Sequence, residues 1–316
     1  MSKVLITGGA GFIGSHAVDY FLQKGHKVVV VDSLSYSSNM KNLSEAEKND
    51  NFSFFHADIT NEKKMLSLLQ KHKPKWIINF AAETHVDNSI NDNVPFIHTN
   101  ILGVNNLLTC CKIVGKIKFC QISTDEVYGP ANKKPFKETS KLNPMNPYSA
   151  TKTAAEHLVK SFHNTYGIKY LILRPSNNYG PRQYREKFIP NSIRCLMNGN
   201  RIPVYGNGSQ QREWLYVQDS VKIIHELIFK GRINNTYNIG TTQSMMKNIE
   251  VIENILNCMG NKSLEDIVNF VEDRPGHDKK YWISHKKTYK ILKEFQKTSF
   301  DDGIKETIKY YENIFQ

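Results

Sequence analysis

The sequence predicts an α/β protein: a doubly wound parallel sheet followed by a smaller C-terminal α/β domain. Three observations carry that expectation. Apolar, β-branched runs alternate with helical stretches through the first 175 residues, a glycine-rich turn separates the first run from the first helix, and after Arg174-Pro175 the alternation loosens into loops rich in Asn, Gly and Pro. Successive apolar strands joined by helices are what a parallel sheet covered on both faces requires.

Lys3 to Thr7 is the first strand and runs into Gly8-Gly9-Ala10-Gly11-Phe12-Ile13-Gly14. A helix to about Gln23 follows, Gly25 stops it, and a second strand covers Lys27 to Asp32. This is a βαβ unit with its glycines at the first turn. Gly8, Gly11 and Gly14 are spaced to let backbone approach a pyrophosphate and to let the helix pack closely on its strand, with the helix N-terminus facing the phosphates. A glycine-rich turn alone is a weak signal, but here it opens the chain between strand and helix and has an acid at the end of the next strand. Asp32 suits the hydroxyls of an adenosine ribose and repels a 2′-phosphate. No arginine follows it closely, so NAD is preferred to NADP.

The alternation continues with a strand at Phe52 to His56, a helix at Asn61 to Lys71, a strand at Lys75 to Phe80 and one long helix from Pro95 to about Val114. A strand at Ile117 to Ile122, a second long helix from Tyr148 to about Tyr166 and a strand at Lys169 to Leu173 complete the first half. Helices are expected near 187–198, 219–230, 247–259 and from about Asp302. The division is therefore a dinucleotide-binding Rossmann-type domain over 1–175 and a substrate domain over 176–316, with room for the chain to recross to the first sheet.

The formal net charge of +12 raises a nucleic-acid reading. The lysines are scattered as doublets such as Lys63-Lys64 and Lys133-Lys134 and never grow into a block, so no nucleic-acid partner is expected. Five cysteines show no CxxC spacing and no metal-ligand rhythm, which points to reduced thiols, no metal and a cytoplasmic compartment. No targeting pattern or run of membrane-spanning length is present, so no membrane partner is expected.

Chemistry concentrates at two places. Ser123-Thr124-Asp125-Glu126-Val127-Tyr128-Gly129 leaves the C-terminal end of a buried strand, the edge at which open α/β sheets bind ligands. Two adjacent carboxylates there cannot both stay ionised cheaply, so one is expected to hold a proton while the other does not. The plain alternative is a solvated loop or a helix cap. Tyr148-Ser149-Ala150-Thr151-Lys152 places a phenol and an ammonium on one helix face, where the cation favours the phenolate.

In these motifs the chain resembles the extended short-chain dehydrogenase/reductase family and, within it, the nucleotide-diphosphate-glucose 4,6-dehydratases. The resemblance covers nearly the whole chain: Thr7 to Ser15, Asp58-Ile59, Ala81 to Asp87, Ser123 to Gly129, Tyr148 to Lys152, Asn177 to Pro181 and Arg274 to Asp278. It implies an NAD-dependent hydro-lyase. Tyr148 would be the base toward the C4 hydroxyl with Thr124 bonded to the same hydroxyl, Glu126 the base toward C5, Asp125 the acid toward the C6 hydroxyl, and Lys152 a catalytic and ribose-binding cation. It further implies cofactor contacts from Gly8, Gly11, Phe12, Ile13, Gly14, Asp32, Asp58, Ile59, Ala81, Ala82, Thr99, Tyr148 and Lys152. Substrate contacts are implied for Thr84, Asn177, Asn178, Lys187, Tyr205, Arg212, Arg274 and His277. Arg185, Asn88 and Lys279-Lys280 depart from the family's usual proline, arginine and paired arginines, and bear on the choice of UDP or dTDP rather than on the reaction. The alternatives are a 4-epimerase or decarboxylase on the same scaffold, which would favour small residues at 125 and 126, and a non-catalytic NAD-binding protein. A homodimer through the helices near 95–114 and 148–166 is expected from the family.

Overall fold

The computed structural model describes residues 1–241, 245–260, 263–273, 277–292 and 297–315. The first lobe runs β1 (Lys3–Thr7), α1 (Phe12–Gln23), β2 (Lys27–Asp32), β3 (Phe52–His56), α2 (Glu62–His72) and β4 (Trp76–Asn79). It continues through α3 (Val86–Asn91), α4 (Val94–Ile97), α5 (Val104–Val114), β5 (Lys118–Ile122), α6 (Pro147–Tyr166) and β6 (Tyr170–Pro175). The second half adds β7 (Asn177–Tyr179), α7 (Phe188–Met197), β8 (Ile202–Tyr205), β9 (Gln211–Tyr216), α8 (Val217–Lys230) and β10 (Asn235–Ile239). Last come β11 (Met245–Lys247), α9 (Asn248–Met259), α10 (Leu264–Ile267), β12 (Val268–Val271), α11 (Lys286–Tyr289) and α12 (Phe300–Phe315).

Seven parallel strands form the main sheet in the order β10-β6-β5-β4-β1-β2-β3. Alternation within β1 and β2 decides which helices cover which face. Val4, Ile6, Val28 and Val30 pack with α1 and α8 on one face, whereas Leu5, Val29 and Val31 pack with α2, α5 and α6 on the other. Each such side chain, fully removed from water, contributes about 1.5–3 kcal/mol. β10 and α8 come from the second half, so residues 217–239 return to the first sheet. The remaining strands form a β11-β9-β7 sheet and a β12-β8 pair, packed with α7, α9 and α12 around a separate core.

The predicted long helix from Pro95 is instead two helices joined by a π-helical turn over His98–Gly103. Gly103 packs on Ile59, where a Cβ would lie 2.4 Å from the side chain, and Asn100 bonds both backbone groups of Glu83 and the Thr151 hydroxyl. The wider turn thereby aims Thr99 at the sheet edge. No helix among the described residues is long and apolar enough to cross a membrane.

The reversal of strand order around β1 opens a crevice at the C-terminal ends of β1 and β4, and the functional loops gather there. The opposite edge collects charge. Lys3, Lys27, Lys75, Lys118 and Lys169 start or precede neighbouring strands, joined by backbone bonds such as Lys75 to Lys3 at 2.8 Å and Lys118 to Lys75 at 3.1 Å. Burial, then the charges of Lys75 and Lys169, lower the Lys118 pKa.

A buried histidine pair joins α8 to the start of β2. Ser2 N–H donates to His26 Nδ1 at 3.2 Å, so His26 carries its proton on Nε2 and donates to His225 Nε2 at 3.1 Å, while His225 Nδ1 faces Glu226. Burial lowers both pKa values, with Lys24 and Lys230 adding to the effect on His225, and burial takes His16 from 6.5 to about 4. Because these folded-state values are depressed, the unfolded chain binds more protons below pH 6.5. Their stabilising contribution is full above that pH and is lost as pH falls below it, down to about 4 for His16, at up to about 1.4 kcal/mol per pH unit for each group. Urea midpoints measured from pH 8 to pH 5 should fall, and His26→Gln should flatten the decline.

Candidate active site

Local packing explains the glycines one by one. Gly8 follows β1 at a φ of 68°, and a Cβ on it would lie 2.6 Å from the Ala81 nitrogen on the loop after β4. A Cβ on Gly14 would lie 2.1 Å from the Gly8 carbonyl, so this residue sets the close approach of α1 to its strand. Gly11 meets little beyond that same carbonyl, at 3.3 Å, and borders the cleft. The helix start has no side-chain cap and no acid in its first turn. Its free N–H groups and partial positive charge suit a pyrophosphate. Asp32, buried, accepts from Ala10 N–H at 2.9 Å and Leu34 N–H at 2.8 Å, which fixes its carboxylate at the cleft wall. The groove therefore fits a dinucleotide carrying free ribose hydroxyls.

The cleft has a volume of about 290 Å³. All thirteen residues expected to hold the cofactor line it, from Gly8, Gly11, Phe12, Ile13 and Gly14 through Asp32, Asp58, Ile59, Ala81, Ala82 and Thr99 to Tyr148 and Lys152. Thr124, Asp125, Glu126, Thr84, Asn177, Asn178 and Lys187 line it as well. Tyr205, Arg212 and His277 do not, and Arg274 lies outside the described residues.

The acid pair sits on a single 3₁₀ turn, Asp125–Tyr128, rather than on a solvated loop. Thr124 starts the turn and its hydroxyl accepts from Glu126 N–H at 3.2 Å. Val127 and Tyr128 point into the core, which forces the turn to hold its shape. Asp125 is 3% exposed, and its Oδ2 has no partner among the described residues. Burial, then the Glu126 and Glu213 charges, push its pKa well above the ordinary carboxylate range, with Arg212 and the Thr124 hydroxyl opposing. Asp125 is thus the member of the pair that holds a proton. Glu126 Oε2 accepts from Asn146 Nδ2 and lies against the Tyr281 hydroxyl, each at 3.4 Å.

Asn146 also caps the helix that carries Tyr148 and Lys152: its side chain accepts from Ser149 N–H at 2.8 Å, and Pro147 takes the first helical position. Tyr148 is hydrogen-bonded to the Thr124 hydroxyl, but burial and then Glu126 raise its pKa, which keeps it a phenol. The expected pull of Lys152 toward phenolate is absent from the protein alone. Lys152 turns instead to the Ile122 carbonyl at 2.6 Å, and its burial takes its own pKa down from 10.5 to about 8.

Beneath this surface lies a buried ion pair that the sequence reading missed. Glu156, one turn beyond Lys152, accepts from the Ser123 hydroxyl at 2.6 Å and from Arg174 Nε at 2.8 Å and Nη2 at 2.5 Å. Arg174 also donates to the Tyr128 hydroxyl at 2.5 Å, and that hydroxyl donates to Asn238 at 2.8 Å. One network thus fixes both ends of the 123–128 segment. Its signal was available: an acid four residues past a helical lysine.

The second lobe reaches the pair through Tyr281, whose hydroxyl donates to Asp278 Oδ2 at 2.6 Å besides contacting Glu126. Arg212 stacks 4.2 Å over the Tyr281 ring and donates to the carbonyls of Gln211 and Asp278, both at 2.8 Å. Its place is under the site rather than in the cleft wall. Tyr205 and His277 lie together at the outer end of β8, with ring centroids 5.9 Å apart and Asp87 and Asp273 as hydrogen-bond partners.

The profile of the family described as GDP-mannose 4,6 dehydratase matches residues 5–307. The chain belongs to this family. It is 43% identical to the low-salt glycan biosynthesis protein Agl12 of Haloferax volcanii over 98% of both chains. It is 38% identical to the dTDP-glucose 4,6-dehydratase of Escherichia coli, covering 98% of this chain and 94% of that one. Among solved structures, the dTDP-glucose 4,6-dehydratase DesIV of Streptomyces venezuelae, with NAD and TYD bound, superposes with a TM-score of 0.93 at 35% identity, covering 98% of this chain and 97% of that one. Asn146 and Tyr281 join the family-implied residues through geometry alone.

Proposed function

We infer that the protein is an NAD-dependent nucleotide-diphosphate-glucose 4,6-dehydratase, a hydro-lyase that makes the 4-keto-6-deoxy sugar. One observation carries this reading. A buried Asp125, its pKa raised by that burial and by the adjacent Glu126 charge, lines a dinucleotide groove together with Glu126 and Tyr148. A 4-epimerase needs only the tyrosine and the cofactor; a carboxylic acid kept neutral beside a second carboxylate is what elimination of water requires.

Tyr148, with Thr124 on the same hydroxyl, accepts the C4 hydroxyl proton. Glu126 removes the C5 proton made acidic by the new C4 ketone, and Asp125 protonates the departing C6 hydroxyl, which leaves as water. When bound, NAD supplies the hydride acceptor and then donor for C4 and C6, so it ends as it began. Lys152 holds positive charge at the base of the groove, and Lys187, donating to the Thr84 carbonyl at 3.0 Å, places a cation on the sugar side. Asn177 and Asn178 face the substrate; Asn178 Oδ1 has no partner among the described residues and is available to it. Arg212 supports Tyr281 and Asp278 from below, and Tyr205, His277 and Arg274 take the nucleotide end.

The same reading divides the chain into a cofactor lobe over 1–175 and a nucleotide-sugar lobe over 176–316, with 217–239 serving the first sheet. It includes a homodimer, supported by the exposed Val94, Ile97, Ile113 and Tyr166 on the helices of the 94–114 and 147–166 segments. It also includes a cytoplasmic setting, supported by five free cysteines.

The test is incubation of the purified protein with UDP-glucose and with dTDP-glucose, without added cofactor, following product mass. Loss of one water with no net reduction of NAD is the expected result, and the faster substrate names the base. C4-epimerised sugar at unchanged mass, or no product with either sugar after NAD is added, would sink the reading.

A further inference from the structure

Residues 180–187 leave the second lobe and lie along the dinucleotide groove, fastened at several points. The Pro181 carbonyl accepts from His16 Nε2 on α1 at 2.9 Å, and His16, neutral because of its burial, keeps that donor at physiological pH. Arg182 Nη1 reaches Asp19 Oδ2, one turn further along α1, at 2.7 Å. Tyr184 meets Tyr36 edge-on at 5.3 Å between centroids, and the Tyr36 hydroxyl donates to Glu186 at 3.1 Å. Lys187 donates to the Thr84 carbonyl. From the other side, the Tyr311 hydroxyl on α12 donates to the Gln183 carbonyl.

These anchors are not spread at random. They fall on the helix behind the glycine turn, the loop after β2 and the loop after β4, the three places from which this topology holds a dinucleotide. Gln183, Tyr184 and Lys187 line the same cleft as Gly8 and Gly11. Arg182 holds a φ of 68°, a conformation that side chains with a Cβ rarely adopt, between two residues whose carbonyls are both engaged.

We propose that residues 180–187 form a strap that keeps NAD bound through the whole catalytic cycle, with the Asp19–Arg182 ion pair as its main fastening to the cofactor lobe. The proposal rests on the NAD-dependent dehydration reading. Electrons taken at C4 must return at C6 of the same sugar, so a cofactor that left in between would strand the keto sugar. Asp19 and Arg182 are positioning residues: they touch neither sugar nor reacting atoms.

The experiment measures exchange of bound NAD against isotopically labelled NAD by mass spectrometry. Arg182→Asn removes the cation without straining the backbone, because asparagine tolerates the left-handed conformation. Asp19→Asn removes the other partner. Each should release NAD roughly fivefold faster than wild type, and the double variant no faster than either. The pair is partly exposed, 20% and 32%, so added salt should speed release in wild type more than in the variants. The exchanged pair Asp19→Arg with Arg182→Asp should restore slow release, an outcome that general loosening of the fold would not give. Equal release rates in wild type and Arg182→Asn would overturn the strap while leaving the dehydratase reading intact. A wild-type protein that carries no NAD as purified and binds none when it is added would overturn both.

Discussion

Tyr148→Phe is expected to lower turnover by about 10³-fold while KM for the nucleotide sugar stays within a few-fold. The change removes one oxygen from a buried ring and leaves the capped helix beneath it untouched, so folding should survive. What disappears is the acceptor for the C4 hydroxyl proton and the partner of the Thr124 hydroxyl. The electrostatics sharpen the expectation. In the protein alone, burial and the Glu126 charge hold Tyr148 as a phenol. The positive charge that favours its ionisation would have to come from the loaded groove, where bound NAD would add the charge of its oxidised ring to that of the Lys152 ammonium. The first chemical step should therefore speed up with rising pH in wild type and lose that dependence in the variant. Rapid mixing of sugar with NAD-loaded protein, followed by the absorbance of reduced nicotinamide, reads this step directly. A variant that kept more than a tenth of the wild-type rate would remove Tyr148 from its role.

How much of this was legible beforehand follows from how far apart the cooperating residues lie. The glycine turn, the acid pair and the Tyr148–Lys152 spacing are short-range patterns, and the sheet edge that gathers them follows from strand alternation. Tyr281 stands 155 residues beyond Glu126 and reaches it because Lys280 pairs with Gln211 across the second lobe, a bridge with no periodic signature. Arg212 looks like an anion receptor in one dimension. In three its guanidinium is engaged by two carbonyls and the Tyr281 ring. The strand Asn235–Ile239 escaped notice because Asn238 sits in its middle. That buried amide, bonded to the carbonyls of Phe136 and Ser284, ties the strand to the loop beyond the acid turn. Lysines scattered along the chain gather at one edge because parallel strands all begin there, on the side away from the chemistry.

Glu126→Gln should separate the two halves of the reaction. Glutamine keeps the shape of the side chain and can still accept from Asn146 beside the Tyr281 hydroxyl, so the turn and the cleft are preserved. It cannot take the C5 proton. Sugar should then be oxidised at C4, reduced nicotinamide should accumulate, and neither water loss nor deuterium uptake at C5 from heavy water should follow, with turnover down by about 10²–10⁴-fold. Asp125→Asn should behave differently, because the base remains and only the proton donor to the C6 hydroxyl is gone. C5 would exchange with solvent while water loss lags, provided elimination is stepwise. The two variants give the same answer only if proton removal and departure of water are concerted. If Glu126→Gln instead made product at the wild-type rate, the base would have to be another group, and Tyr281, bonded to Asp278 at 2.6 Å and within reach of Glu126, would be the residue to replace next.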